Sequence, residues 1–121
     1  EVVSLLIEHG ANVNIVEGWL GSPALQEAST WGNEAVVRLL IPNGADVNLQ
    51  GGRYGTALRA ASAHGNFGVA RILLQMGADV NAESTGWFGE PGTASEEARI
   101  ENQNEMVALL KEYGARSDST D

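Results

Sequence analysis

The sequence predicts an all-α protein in which one small unit, made of two helices and a finger-like loop, is stacked several times. Three observations predict this fold. A short motif recurs along the chain, and its glycines lie 34, 33 and 37 residues apart, at Gly10, Gly44, Gly77 and Gly114. An apolar stretch precedes each glycine, and a stretch rich in small residues precedes three of the apolar stretches. Self-similarity at a period of this kind is typical of repeat architectures.

Each apolar stretch is predicted to form the second helix of its unit. Val69, Ile72 and Leu73 have the i, i+3, i+4 spacing that places apolar side chains on one face of a helix. The matching residues of the other copies are Val2, Leu5 and Leu6; Val36, Leu39 and Leu40; and Met106, Leu109 and Leu110. The glycine that follows is predicted to be a left-handed C-cap, because a β-carbon resists positive φ. Pro42 lacks a backbone donor and is predicted to end its helix early.

The stretches rich in small residues are predicted to form the first helices, at 23–30, 56–63 and 93–100. Alanines recur at matched places in these stretches and allow neighbouring copies to approach closely. Each stretch is followed by a residue type that tolerates positive φ, which fits a tight helix–helix turn: Gly32, Gly65 and Asn102. The polar segments that join one copy to the next are too short for a helix and are predicted to be hairpin-like fingers.

The chain resembles the ankyrin repeat. Thr56, Ala57, Leu58 and the alanines that follow match the start of the family pattern, and the run from Gly77 to Asn81 matches its end. The resemblance implies a solenoid of antiparallel helix pairs with β-hairpin fingers, and a protein-binding activity without catalysis. The sequence from Gly51 to Ser62 is also similar to that of ankyrin arrays in large fungal signalling proteins. Gln26 and Arg59 stand where the family often has histidine.

The repeat positions predict a single domain with four parts. Residues 1–15 form a half repeat with only its second helix, 16–50 and 51–82 form full repeats, and 83–121 form a C-terminal capping repeat with an extended finger. A half repeat cannot cover its own apolar face, so the chain is predicted to be a fragment of a longer array that can dimerise non-physiologically through this end. The polar Lys111 replaces an apolar residue of the other copies, which suits a cap.

Composition and charge exclude several classes of function. The chain has 7 Lys and Arg against 16 Asp and Glu, a net charge of −9, which argues against nucleic acid or an anionic membrane as the partner. Cysteine is absent, and so is any N-x-Ser/Thr acceptor, which favours a cytoplasmic location. The chain contains no motif for a phosphate loop, a catalytic triad or a metal site, so no cofactor, metal ion or small-molecule substrate is expected.

Two groups of carboxylates are candidate sites. An enzyme could use Glu83 and Glu90 in the long 82–92 loop, but nothing in the sequence orients the two carboxylates towards each other, so the protein is not expected to be an enzyme. The run Glu96–Glu97 is interpreted as a solvated face. A basic partner for these two residues is the less favoured interpretation.

The aromatic residues outside the apolar stripes are the candidate binding residues. Trp31 ends a first helix, in the same repeat position as His64, and the resemblance implies that fingers and first-helix ends form a concave binding surface. Tryptophan buries a large area at little entropic cost. The predicted partner-binding residues are Trp31, His64, Arg53, Trp87, Phe88, Trp19 and Thr30. Tyr54 is assigned a structural role. The leading hypothesis is a protein–protein interaction module, and the alternative is a structural C-terminal cap whose array binds its partner upstream.

Overall fold

Three helix pairs form the part of the chain that the computed structural model describes, residues 24–86, 89 and 91–115. The helices are, in chain order, α1 (Ala24–Trp31), α2 (Glu34–Leu40), α3 (Ala57–Ala63), α4 (Phe67–Gln75), α5 (Ala94–Ile100) and α6 (Asn104–Glu112). Between α4 and α5 the strands β1 (Ser84–Thr85) and β2 (Pro91–Gly92) form an antiparallel hairpin, with Ser84 opposite Gly92. The preceding finger has a single bridge between Gly51 and Gly55. The all-α fold of stacked, antiparallel helix pairs with finger loops is confirmed.

The pairs stack in two rows. The first helices α1, α3 and α5 pack side by side, and the second helices α2, α4 and α6 form a neighbouring row. Alanines lie between the first helices, where Ala57, Ala61 and Ala98 are fully buried. Their small side chains allow the close approach that the sequence predicted.

The core lies between the two rows. Five of its largest fully buried side chains come from the predicted apolar stripe, and a sixth, Leu25, comes from α1; the five are Leu40, Leu73, Met106, Leu109 and Leu110. Val36 and Leu39, which belong to the same stripe, are half-buried, and Val37 is fully buried. Full burial of one such side chain contributes about 1.5–3 kcal/mol. The stripe is therefore the main source of cohesion between the rows.

The three second helices end in the same Schellman motif. In α4, Ala78 N donates to Leu73 O over 2.9 Å, and Gly77 between them has a φ of +99°. The same bond recurs from Ala45 to Leu40, past Gly44, and from Ala115 to Leu110, past Gly114. The predicted glycine C-caps at Gly44, Gly77 and Gly114 are confirmed, and the one predicted at Gly10 lies outside the described residues. The early end of α2 is confirmed too, since this helix stops at Leu40, two residues before Pro42.

The turns within the pairs also follow the prediction. Gly32, Gly65 and Asn102 have φ values of +70°, +68° and +61°. At Gly65 an added β-carbon would lie 2.5 Å from Gln103 Oε1, the end of a flexible side chain, so the positive φ is the main reason for glycine there.

Asparagine side chains join each repeat to the next. Asn48 Nδ2 donates to Gly77 O over 3.2 Å, and Asn48 Oδ1 accepts from Asp79 N over 2.7 Å. One repeat later, Asn81 Nδ2 donates to Gly114 O over 3.1 Å. The recurring Asp-Val-Asn motif thus forms an inter-repeat asparagine ladder, in which each asparagine binds backbone atoms of the following repeat.

None of the helices in the described residues has the length and apolar character needed to cross a membrane.

Candidate functional site

The ends of the first helices form an exposed row on one side of the stack. Trp31 is the last residue of α1, and 79% of its surface is exposed. His64 and Glu101 are the C-cap residues of α3 and α5, and both are exposed. Because α1, α3 and α5 pack side by side, the three residues lie at matching ends of neighbouring helices. We call this set the first-helix row.

The backbone beneath Trp31 is held by the next repeat. Asn66 Nδ2 donates to Ser29 O over 2.7 Å and to Thr30 O over 2.9 Å, so two of the last carbonyls of α1 are bound. Thr30 is half-buried, and its hydroxyl donates to Gln26 O within the same helix over 2.9 Å. Gly32 ends α1 with a positive φ. These contacts fix the direction of the helix end that presents the indole ring.

Tyr54 brings two of the predicted binding residues together. Its hydroxyl lies 3.1 Å from His64 Nε2, and the two rings meet edge-on with centroids 5.4 Å apart. The Arg53 guanidinium lies over the Tyr54 ring, 5.3 Å from its centroid. Arg53 of the finger and His64 of the first-helix row therefore contact the same side chain. This arrangement agrees with the structural role that the sequence assigned to Tyr54.

Several predictions fall on residues outside the described part of the chain. Trp19, Trp87 and Phe88 are among them, and so are the half repeat at 1–15 and the dimer contact expected there. Glu90 also lies outside. Its proposed partner Glu83 is exposed, and Glu83 O accepts a hydrogen bond from Gln50 Nε2 over 3.2 Å.

An ion pair connects the second and third helix pairs beneath the fingers. Arg59 Nε lies 3.0 Å from Glu97 Oε1, and the two side chains are only 10% and 12% exposed. Arg59 Nη1 also donates to Ser84 O, while Ser84 Oγ donates to Tyr54 O over 3.1 Å. The ion-paired Arg59 thus binds Ser84 of β1, and Ser84 in turn binds the backbone of Tyr54.

The interpretation of Glu96–Glu97 as a solvated face is wrong for Glu97. Its carboxylate accepts a hydrogen bond from Arg59, which lies 38 residues earlier in the chain. Glu96 is exposed, and it forms a capping box with Thr93 at the start of α5. The signal available in the sequence was Arg59 itself, an arginine within a helix otherwise made of small and apolar residues.

Gln26 occupies the repeat position of Arg59 and makes a matching contact. It is 3% exposed, and its Nε2 donates over 2.7 Å to Leu49 O in the following finger. Arg59 donates in the same way to Ser84 O, one repeat later. Among the described residues, Gln26 Oε1 is buried without a hydrogen-bond partner. At both positions, the side chain that replaces histidine ties a first helix to the next finger.

The described residues contain no group of three or more His, Asp or Glu side chains placed to hold a metal ion. The geometry instead combines a rigid stack with an exposed row of varied side chains. Together these features define a repeat protein that presents a surface.

Comparison with known proteins identifies the family. The family model described as ankyrin repeats, three copies, matches residues 1–84, and the chain belongs to the ankyrin-repeat family. The human ankyrin repeat and MYND domain-containing protein 1 is 45% identical over 49 residues, which are 40% of this chain and 5% of that protein. The match therefore spans a small part of the length of this relative. Ankyrin repeats are a non-enzymatic module that mediates protein–protein interaction.

Proposed function

We propose that this chain binds a partner protein through the concave surface formed by the first-helix row and the fingers. Trp31 is the anchor, His64 and Arg53 are the polar contacts, and Thr30 lies at the edge. The sequence assigns Trp19, Trp87 and Phe88 to the same surface, where they stay predictions. The single observation that carries the proposal is the 79% exposure of the Trp31 side chain at the end of a helix.

The energetics of an exposed tryptophan favour this role. Tryptophan residues dominate binding energy at interfaces because they bury a large area and lose few rotamers on binding. The bonds from Asn66 to Ser29 O and Thr30 O already hold the end of α1, so little backbone order has to be gained when a partner binds.

The proposal is tested with the tagged full chain. Proteins retained by the chain are identified by mass spectrometry, and the dissociation constant of a purified candidate is measured by calorimetry. Trp31→Ala is expected to cost about 2 kcal/mol or more, which raises Kd about 30-fold. Tyr113→Ala is the matched control, because Tyr113 is a 36% exposed aromatic residue at the end of the second helix α6. Equal affinities of wild type and Trp31→Ala would contradict the proposal.

A structural cap is the second candidate. Lys111 is exposed in α6, whereas Leu74, at the matching position of α4, is 7% exposed and belongs to the core. A polar residue at this position is what the last unit of a stack requires. A partner that binds a longer parent chain but not this chain would favour the cap.

The proposed partner is a protein in the cytoplasm. The 16 acidic and 7 basic residues disfavour binding to nucleic acid or to an anionic membrane surface, and the family is not enzymatic. Imaging of the tagged parent protein tests the location, and retention of the chain on immobilised DNA or RNA at moderate salt would contradict the choice of partner.

A further inference from the structure

A cavity of about 450 Å³ lies between the fingers and the first helix of the last pair. Tyr54 lines it on one side, Gly86 and Pro91 line it from the last finger, and Ile100 lines it from α5. Its volume falls within the range of about 300–1,000 Å³ in which ligand sites are found. Glu101 of the first-helix row also lines it, so the cavity is continuous with the proposed binding surface.

The deep side of the cavity is rigid and electrically balanced. Arg59 and Glu97 line it as the 3.0 Å ion pair. The fingers above are in close contact, because an added β-carbon at Gly86 would overlap Arg53 O. At Gly92 an added β-carbon would lie 3.2 Å from Arg59 Nη2. The two glycines, Gly86 and Gly92, therefore leave the cavity open while the fingers and α3 remain in close contact.

The rim carries an excess of negative charge. Glu96 and Glu101 are exposed there, and in the described part of the chain neither of them makes an ion pair. Arg53 is the cationic residue of the rim, and it lies over Tyr54. Because Glu97 neutralises Arg59, the remaining charges of the rim are the carboxylates of Glu96 and Glu101 and the guanidinium of Arg53. The net charge of −9 on the whole chain adds an attractive field for cations.

An apolar contact lies beside these carboxylates. Ile100 is 70% exposed, and it lines the cavity together with Glu96 and Glu101. Side chains of arginine and lysine combine an apolar stem with a charged head, and they pack the stem on apolar surface while the head stays near polar groups. A cavity with an exposed isoleucine and flanking carboxylates matches both parts of such a side chain.

We infer that this cavity binds the arginine or lysine side chain of the partner protein, with the alkyl stem against Ile100 and the cationic head between Glu96 and Glu101. This inference rests on the proposed function and specifies the chemistry of the partner. An acidic partner side chain would meet two carboxylates and one arginine, so the charge of the rim disfavours it.

The test uses the isotope-labelled full chain and two small probes at low salt. N-acetyl-arginine methylamide carries the cation, and N-acetyl-citrulline methylamide has nearly the same shape without the charge. NMR titration with the arginine probe is expected to shift the amide signals of Gly86, Ile100 and Glu101, whereas the citrulline probe leaves them nearly unchanged. Glu96→Gln combined with Glu101→Gln is expected to weaken arginine binding about fivefold, as the loss of two exposed charge contacts implies. A glutamine at 96 still supports a capping box, so the start of α5 is preserved.

The control carries the same change of charge at another place. Glu105→Gln combined with Glu112→Gln alters α6, and neither residue lines this cavity. The inference is overturned if the citrulline probe shifts the same signals equally, if the arginine probe shifts other residues instead, or if both double variants bind it alike. If the arginine probe fails this test but Trp31→Ala strongly weakens binding of a partner protein, the proposed function stands. Only the inference that the cavity binds an arginine or lysine side chain is then rejected.

Discussion

Arg59 is a charged residue in a helix whose other residues are small or apolar. It is 8% exposed, and Glu97 of the next repeat supplies the opposite charge at 3.0 Å. Two ions taken out of water gain little net stability as a pair, but a buried ion that loses its partner costs several kcal/mol. The pair therefore fixes how neighbouring repeats meet, because a shifted stack would leave both charges without a partner.

Removing one member of the pair is expected to destabilise the stack strongly. Glu97→Ala should lower the free energy of unfolding by about 3 kcal/mol, the lower end for a broken buried pair, since Arg59 keeps its bond to Ser84 O. Urea unfolding followed by circular dichroism measures the change. Replacing both residues by leucine should cost less than the single variant, because no buried charge is then left without a partner.

An exposed glutamate provides the comparison for this variant. Glu105→Ala in α6 removes the same functional group from the surface and should change stability by no more than about 0.5 kcal/mol. If Glu97→Ala were as stable as Glu105→Ala, the ion pair would have no structural role.

At the scale of the helix, Pro42 makes α2 shorter than the other second helices, α4 and α6. α2 has 7 residues, whereas α4 and α6 have 9 each. All three begin at the same distance from their capping glycine and end in the same Schellman motif. The difference lies in the missing backbone donor of proline at 42, where α4 has Gln75.

Pro42→Gln is expected to lengthen α2 by restoring that donor. The new amide at position 42 can donate to Arg38 O, which completes the i to i−4 pattern through the last turn. Hydrogen exchange by NMR should show a protected amide at position 42 and helical carbon shifts at 41 and 42. The reciprocal variant Gln75→Pro should shorten α4 and cost about 3 kcal/mol, because proline removes a hydrogen bond and its ring clashes with the carbonyl four residues earlier. Rapid exchange at position 42 in Pro42→Gln would contradict this explanation.

Helix bounds were predictable because they follow from local rules. The predicted first helices at 23–30, 56–63 and 93–100 differ by one residue or less at each end from α1, α3 and α5. Glycine and asparagine at positive φ, and the proline stop, depend on neighbours within a few residues. The Arg59–Glu97 pair was not predicted, because its members are 38 residues apart and nothing near Arg59 in the sequence indicates which carboxylate it contacts. The contact of Gln26 with the following finger and the contacts of Asn48 with the next repeat were missed for the same reason.

At the scale of the whole molecule, each helix pair in the described residues packs mainly against its neighbours. α1 packs on α3 and α3 on α5, and the second helices do the same. In such a stack the free energy is a sum of unit terms and nearest-neighbour terms, so stability can differ along the chain. The exposure of Trp31 also belongs to this scale, because the sequence gives its repeat position while only the assembled stack shows which ends face solvent.

Leu109→Ala is expected to loosen the last pair selectively. Leu109 is 1% exposed, and truncation of a buried leucine costs about 2–5 kcal/mol. Hydrogen exchange should accelerate most for amides in α5 and α6 and least for those in α1 and α2. Leu73→Ala in the middle pair is the control, and it should accelerate exchange on both sides. Uniform acceleration in Leu109→Ala would mean that the chain unfolds as one cooperative unit.

The asparagine ladder has a consequence for how such a chain can change in length. Asn48 and Asn81 bind the main chain of the following repeat, at Gly77 O, Asp79 N and Gly114 O. Every residue type offers a carbonyl, so this junction does not depend on the particular side chains of the adjoining unit. A duplicated repeat inserted between two existing repeats could therefore form the same asparagine-to-backbone hydrogen bonds on both sides. The array can grow by duplication without new side-chain contacts having to evolve for these bonds.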